Sequence, residues 1–219
     1  MGNTDGKRKK NKNKNENEPK NVYGFSKDGI KESNGQDSFH MFCFDVDNTD
    51  IRFMGVYDGH GRNGKEASSF VEREVRKLVS ENKSRIKKWT QQPNSREAIT
   101  KLFVDGFKKI QNLMKKQNDT FDLSGSCAVS ALIVGKACYV INLGDSRAVI
   151  GWKLIENIFA IQMTIDHKPD LQEETDRIKK QGGEVKVPET GGPYRIYKIN
   201  ESSPGLAVAR TLGDVSVKI

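Results

Sequence analysis

Long apolar runs are missing from this sequence of 219 residues. No stretch approaches the ~18 apolar residues that a membrane-spanning helix needs, so we expect no transmembrane segment. The N-terminus also lacks the apolar core of a secretory signal peptide, because the basic block Lys7–Lys14 is followed by more Asn and Glu. We therefore expect a cytoplasmic or nuclear protein.

Cysteine is scarce as well. Cys43, Cys127 and Cys138 are an odd number of thiols, and they contain no Cys-x-x-Cys pair. Each falls in a predicted strand, which favours buried free thiols in a reducing compartment. The absence of paired cysteines argues against a zinc site.

Positive charge is unevenly distributed. The net charge is +8, and residues 1–20 alone contribute +4. The rest of the chain is only mildly basic, so we expect no nucleic-acid partner. Residues 1–20 are rich in Lys and Asn and nearly free of apolar side chains, which predicts a disordered tail ahead of a domain over residues 21–219.

The basic block in this tail leaves three interpretations open. A solvated tail is the simplest, while weak contact with an anionic membrane surface or a nuclear signal would use the same lysines. Myristoylation of Gly2 would make the protein peripheral to the membrane, although Gly6 stands where that motif has Ser or Thr.

The most informative stretch runs from Met54 to Gly61. The apolar residues Ile51–Tyr57 predict a buried strand that ends at Asp58-Gly59-His60-Gly61. A carboxylate at the end of a strand can face a ligand while the sheet fixes its backbone. The simpler alternative is an Asp-Gly turn that closes a hairpin.

Two more acids stand at the ends of predicted strands. Asp37 precedes the strand Ser38–Phe44, and Asp145 follows the strand Ala137–Leu143. Because neighbouring strands lie ~5 Å apart, these carboxylates and Asp58 can converge at one edge of a sheet. An all-oxygen ligand set suits Mg²⁺ or Mn²⁺. His60 could protonate a leaving group, or it could be a loop imidazole bonded to backbone, and Asp145 could close an Asx turn.

The remaining elements supply a scaffold. Apolar residues recur at intervals of three and four residues in two predicted helices, one over residues 67–79 and one that begins after Asn94-Ser95. Gly135-Lys136 predicts a turn between the strands Cys127–Val134 and Ala137–Leu143. A third helix is expected near residues 171–180, followed by short strands near 185–187 and 195–199.

Six stretches of the chain form one ordered set of motifs: Asn34…Gln36-Asp37-Ser38, Gly55–Gly61, Ser124–Ala128, Asn142–Arg147, Asp166–Pro169 and Leu206–Asp214. With these motifs, in family order, the chain resembles the metal-dependent protein serine/threonine phosphatases of the type 2C family. The resemblance implies an α+β fold, an antiparallel β-sandwich flanked by helices. It also implies hydrolysis of phosphoserine and phosphothreonine in phosphoprotein substrates.

By this resemblance, Asp58 bridges two Mg²⁺ or Mn²⁺ ions, the Gly59 carbonyl ligates one of them, and Asp37 supports the centre. Asp145 would ligate a third, weaker ion, and His60 would be the general acid. Lys31 and Arg62 are the candidates for binding the phosphate.

Departures from the family pattern qualify these expectations. Cys127 and Thr211 replace common family residues and are interpreted as packing changes. Family members continue past the Leu-Gly-Asp motif to further acids that complete the dinuclear site. We therefore expect this chain to be the N-terminal part of a domain that is a monomer when complete. The alternative is a non-catalytic pseudophosphatase that acts as a binding or regulatory module.

Overall fold

The computed structural model describes residues 23–25, 35–117 and 119–218. The N-terminal tail of residues 1–20 and the candidate phosphate ligand Lys31 lie outside these ranges, so their predicted roles stay predictions. Within the described residues, no helix is both long enough and apolar enough to cross a membrane.

A four-stranded antiparallel sheet forms the centre of the fold, in the order β1-β2-β5-β6. Its strands are β1 (Ser38–Val46), β2 (Thr49–Tyr57), β5 (Ala128–Val134) and β6 (Ala137–Leu143). The first hairpin turns at Asp47 and Asn48, which have φ of +45° and +63°, as a two-residue turn matched to strand twist requires. These strands confirm the sequence interpretation.

Two long helices cover one face of this sheet. They are α1 (Gly64–Thr90) and α2 (Ser95–Met114), and their apolar stripes meet the inward-facing residues of β1 and β2. The rings of Phe53 on β2 and Phe103 on α2 stack at 5.9 Å. The predicted stripe of α1 is confirmed, since Ala67, Val71, Val75 and Val79 are fully buried. Asn94 precedes α2, but its side chain makes no capping hydrogen bond.

A small three-stranded sheet joins distant parts of the chain. It consists of β3 (Gly59–His60), β4 (Gly125–Ser126) and β11 (Leu212–Gly213), in the order β11-β4-β3. Leu212 belongs to the same buried core as the large sheet. This small sheet therefore holds the motif around Asp58 against a segment from near the end of the described chain.

A second, smaller core lies between β6 and β11 in sequence. It comprises α3 (Gln172–Lys180) and the two-stranded sheet of β9 (Gly183–Lys186) and β10 (Arg195–Lys198), packed around Ile178, Ile196 and Ala209. Glu174 of α3 is buried and accepts hydrogen bonds from Arg177 and Arg210. This ion-pair group fixes α3 against the segment that leads to β11.

The hairpin of β7 (Val149–Leu154) and β8 (Asn157–Gln162) differs from the rest of the fold. Every residue of both strands is exposed, although many of them are large and apolar. The expected α+β fold with antiparallel sheets and flanking helices is confirmed. Among the described residues, however, no second large sheet packs on the four-stranded one, so the face of the hairpin has no cover within them.

The cysteines depart from one expectation. None of the three forms a disulfide, as predicted, but only Cys127 is buried, while Cys43 is partly exposed and Cys138 is exposed. Cys138 lies on β6, which is an edge strand of the four-stranded sheet, so its side chain has less cover than a central strand provides.

Candidate active site

Asp58 occupies the single position between β2 and β3. Its backbone carbonyl accepts a hydrogen bond of 2.8 Å from the N–H of Cys127, which lies between β4 and β5. The residue is therefore held where the large sheet and the small sheet meet. This placement agrees with the predicted carboxylate at the end of a rigid strand.

The glycines around Asp58 allow close packing of the loop. A Cβ at Gly59 would come within 2.1 Å of the Gly64 carbonyl oxygen, and Gly61 has a φ of +83°. The side-chain amide of Gln36 donates a hydrogen bond of 3.1 Å to the Gly61 carbonyl. Gln36, the neighbour of Asp37, is thus bonded to the loop after His60. Only glycine fits at positions 59 and 61.

The predicted carboxylates of Asp37 and Asp145 lie near enough to Asp58 to act on its charge. Burial raises the pKa of Asp58, and the neighbouring negative charges of Asp37 and Asp145 raise it further. A hydrogen bond between the carboxyl groups of Asp37 and Asp58 acts in the same direction. Because closely spaced carboxylates repel one another when ionised, this arrangement favours a bound cation.

Asp145 is also engaged by two other side chains. The ammonium group of Lys168 forms an ion pair with Oδ2, and the Cys127 thiol lies 3.3 Å from Oδ1 as a hydrogen-bond donor. The sequence interpretation treated Cys127 only as a packing change, and the contact with Asp145 corrects this. The sequence interpretation also overlooked Lys168, whose ammonium group neutralises Asp145, the predicted ligand of a third ion.

His60 contacts a residue that the sequence interpretation left without a role. Its Nε2 lies 2.8 Å from Oδ2 of Asp214, and Asp214 is only 2% exposed. Burial by itself would lower the pKa of His60. The hydrogen bond with Asp214 and the negative charges of Asp214, Asp58 and Asp145 outweigh burial, so the pKa of His60 lies above its usual value.

Two basic side chains near the site are described by the structure. Arg62 is exposed in the loop that follows His60. Lys65, in the first turn of α1, donates hydrogen bonds to the Asp37 carbonyl and the Ser38 hydroxyl. Sequence reasoning missed Lys65, and its position three residues after Arg62 gave no signal of the contact. The phosphate-binding role of Arg62 stays a prediction.

The donor set at this site is of the right kind for Mg²⁺ or Mn²⁺ but small. Asp37, Asp58 and the Gly59 carbonyl offer only oxygen, which those ions prefer. Within the described ranges, no group of three or more His, Cys, Asp or Glu side chains is placed to hold a metal ion. Asp214 and Asp166 do not enlarge the set, since they pair with His60 and Arg147.

The fold and the carboxylate–histidine site can be compared with those of known protein families. The Protein phosphatase 2C family model matches residues 25–219, and the chain belongs to that family. It is similar to Probable protein phosphatase 2C 35 of Arabidopsis thaliana, with 29% identity over 89% of this chain and 58% of the relative. It is also similar to Probable protein phosphatase 2C 5 of Paramecium tetraurelia, with 32% identity over 84% of this chain and 57% of the relative.

Solved structures support the same fold. The serine-threonine phosphatase 2C of Toxoplasma gondii superposes with a TM-score of 0.66 at 22% identity, over 85% of this chain and 66% of that chain. A sex determining protein of C. elegans gives a TM-score of 0.57 at 23% identity, over 84% of this chain and 42% of that one. The chain thus spans less than two thirds of the length of the curated relatives it matches.

Proposed function

We propose that this chain is a metal-dependent protein serine/threonine phosphatase. It would hydrolyse phosphoserine and phosphothreonine side chains of phosphoproteins. The observation that carries the proposal is the proximity of Asp37 and Asp58 at the end of β2, with His60 two residues further on in β3. Membership of the Protein phosphatase 2C family supports the reaction class.

The residues divide the chemistry among them. Asp58, Asp37 and the Gly59 carbonyl would hold the divalent ions, with Asp145 as a further ligand once Lys168 is displaced. Bound Mg²⁺ or Mn²⁺ would supply an activated water and neutralise phosphate charge. His60 would donate a proton to the departing serine or threonine oxygen as the bond to phosphorus breaks. Arg62 would orient the phosphate.

A comparison of two variants tests this assignment. Asp58→Asn should remove both Mn²⁺ binding, measured by titration calorimetry, and Mn²⁺-dependent hydrolysis of an aryl phosphate. His60→Ala should leave Mn²⁺ binding intact and slow hydrolysis by ~10²–10⁴-fold, the usual contribution of a general acid. Equal loss of Mn²⁺ affinity in both variants would place His60 among the ligands instead.

A second candidate function is a non-catalytic pseudophosphatase. The ion pair between Lys168 and Asp145 and the small donor set of the described residues favour it. The same aryl phosphate assay separates the two candidates. Chelator-sensitive turnover in Mn²⁺ supports the phosphatase, whereas binding of a phosphopeptide without turnover supports the binding module.

A further inference from the structure

Asp214 reaches His60 because of the register of the small sheet. In this sheet His60 on β3 pairs with Gly125 on β4, and Gly125 pairs in turn with Gly213 on β11. Asp214 follows Gly213 directly, so its side chain can cross over Gly125 to the imidazole. Two residues 154 positions apart in sequence are thereby joined by a hydrogen bond of 2.8 Å.

Gly125 provides the space for this crossing. A Cβ placed on Gly125 would lie 2.1 Å from Oδ2 of Asp214, the same oxygen that contacts His60. Any side chain at that position would therefore displace the carboxylate. Glycine in a central strand usually weakens a sheet, and here the close approach of Asp214 explains why position 125 is glycine.

The backbone around Asp214 is fixed from several directions. Its N–H donates to the Ser124 carbonyl at 2.9 Å, and its φ is +48°. Gln111 of α2 binds both the N–H and the carbonyl of Gly213, at 2.9 and 3.1 Å. Such a backbone conformation is uncommon outside glycine and is retained only where the surroundings hold it in place.

We propose that Asp214 is a positioning residue for His60. Its carboxylate accepts the Nε2–H of the imidazole, which fixes the orientation of the ring and leaves Nδ1 as the nitrogen that faces the substrate. During the reaction, the Nδ1 proton would pass to the departing oxygen, and the neutral ring would keep its Nε2–H. This inference rests on the proposed phosphatase function for its catalytic part, but the hydrogen bond itself can be tested without any turnover.

The first experiment measures the tautomer of His60 by ¹⁵N NMR of its ring nitrogens. At a pH where the wild-type ring is neutral, we expect its single proton on Nε2, and we expect Asp214→Asn to abolish this fixed tautomer. Asn is the suitable replacement because it tolerates the left-handed backbone of this position. Asp119→Asn is the matched control, since Asp119 is exposed and also has a positive φ, of +61°.

The tautomer measurement can overturn the proposal directly. A neutral ring that carries its proton on Nδ1 and none on Nε2 in the wild-type chain would contradict it, and this result needs no variant to fold. An unchanged tautomer in Asp214→Asn would contradict it as well. The resonances of His40 and His167 report whether the variant keeps its fold, because both rings lie in other parts of the structure.

The second experiment is a double-mutant cycle on hydrolysis. Asp214→Asn should lower kcat by ~10–100-fold with little change in KM, as removal of an orienting partner usually does. In a His60→Ala background, Asp214→Asn should cause no further loss, because Asp214 acts through the imidazole. Independent, multiplying losses would refute the positioning role even if the wild-type protein is an active phosphatase.

These outcomes separate the two proposals. If the wild-type protein does not hydrolyse phosphate in Mn²⁺, the proposed function is wrong, whatever the tautomer of His60. If it does hydrolyse phosphate but the cycle is additive, only the role of Asp214 is wrong. Asp119→Asn should leave kcat unchanged in every case.

Discussion

Protonation of His40 should destabilise the fold in mild acid. The imidazole is 5% exposed and lies among the rings of Phe42, Phe53 and Tyr57, with centroid distances of 5.1, 5.3 and 5.4 Å. Burial lowers the pKa of His40 from 6.5 to about 3, and the positive charge of Arg76 adds to the effect. The imidazole is therefore neutral in the folded protein at neutral pH.

The size of the effect follows from linkage between protonation and folding. Because the pKa is lower in the folded state, the unfolded chain binds more protons between pH 3 and 6.5, so stability falls as the pH falls through this window. At pH 5 the loss attributable to His40 is about 2 kcal/mol, and below pH 3 it approaches about 5 kcal/mol. Those values are a large part of the ~5–15 kcal/mol by which most domains are stable.

Urea unfolding at pH 7 and pH 5 measures this term. His40→Phe suits the aromatic surroundings and removes the titrating ring. Between pH 7 and pH 5, the variant should therefore lose about 2 kcal/mol less free energy of unfolding than the wild type loses. Arg76 of α1 and Tyr57 of β2 are the ionisable side chains that act on His40, and the backbone of Glu72 forms a hydrogen bond with it. All three residues are kept in the variant. An equal loss in both proteins would refute the assigned burial of His40.

Two further predictions concern other parts of the structure. Glu174→Gln should lower the free energy of unfolding by about 1–3 kcal/mol and speed amide hydrogen exchange in α3, since it weakens the bonds from Arg177 and Arg210. The exposed neighbour Glu173 is the control, and equal effects of Glu173→Gln would contradict the ion-pair argument. Ile158→Lys on the exposed hairpin should reduce concentration-dependent self-association in light scattering, whereas Val104→Lys on the exposed side of α2 should not.

The sequence predicts the parts of this fold that local patterns control. Local patterns of ten to thirty residues encode β1, β2, β5, β6, the helix stripes and the Gly135 turn, and the structure confirms these elements. Asp37, Asp58 and Asp145 were grouped because each stands at the end of a strand, and the structure places them close enough to affect one another's charge. Predicting that these acids lie near one another required only that their strands be close in one sheet, which the pattern of hairpins indicates.

The contacts that the sequence did not predict depend on long-range register. Asp214 meets His60 only because β11 pairs with β4, and β4 pairs with β3. Each of these strands is two residues long, too short to give an alternating pattern. Lys168 was likewise noted only as part of the motif Asp166–Pro169, and its ion pair with Asp145 depends on how two loops approach each other. The strand β8 was missed because its apolar residues lie on an exposed hairpin rather than against a core.

The candidate site and the exposed hairpin belong to different packing units of the chain. Asp58 and His60 are fixed by β2 and β3, and Asp214 by β11, whose Leu212 lies in the main buried core. The hairpin β7–β8 adds nothing to that core, since all its residues are exposed. A change such as Ile158→Lys should therefore alter association while leaving the His60–Asp214 hydrogen bond in place. The tautomer of His60 in Ile158→Lys can then be measured free of self-association, and any change in it would show that the hairpin and the site are coupled.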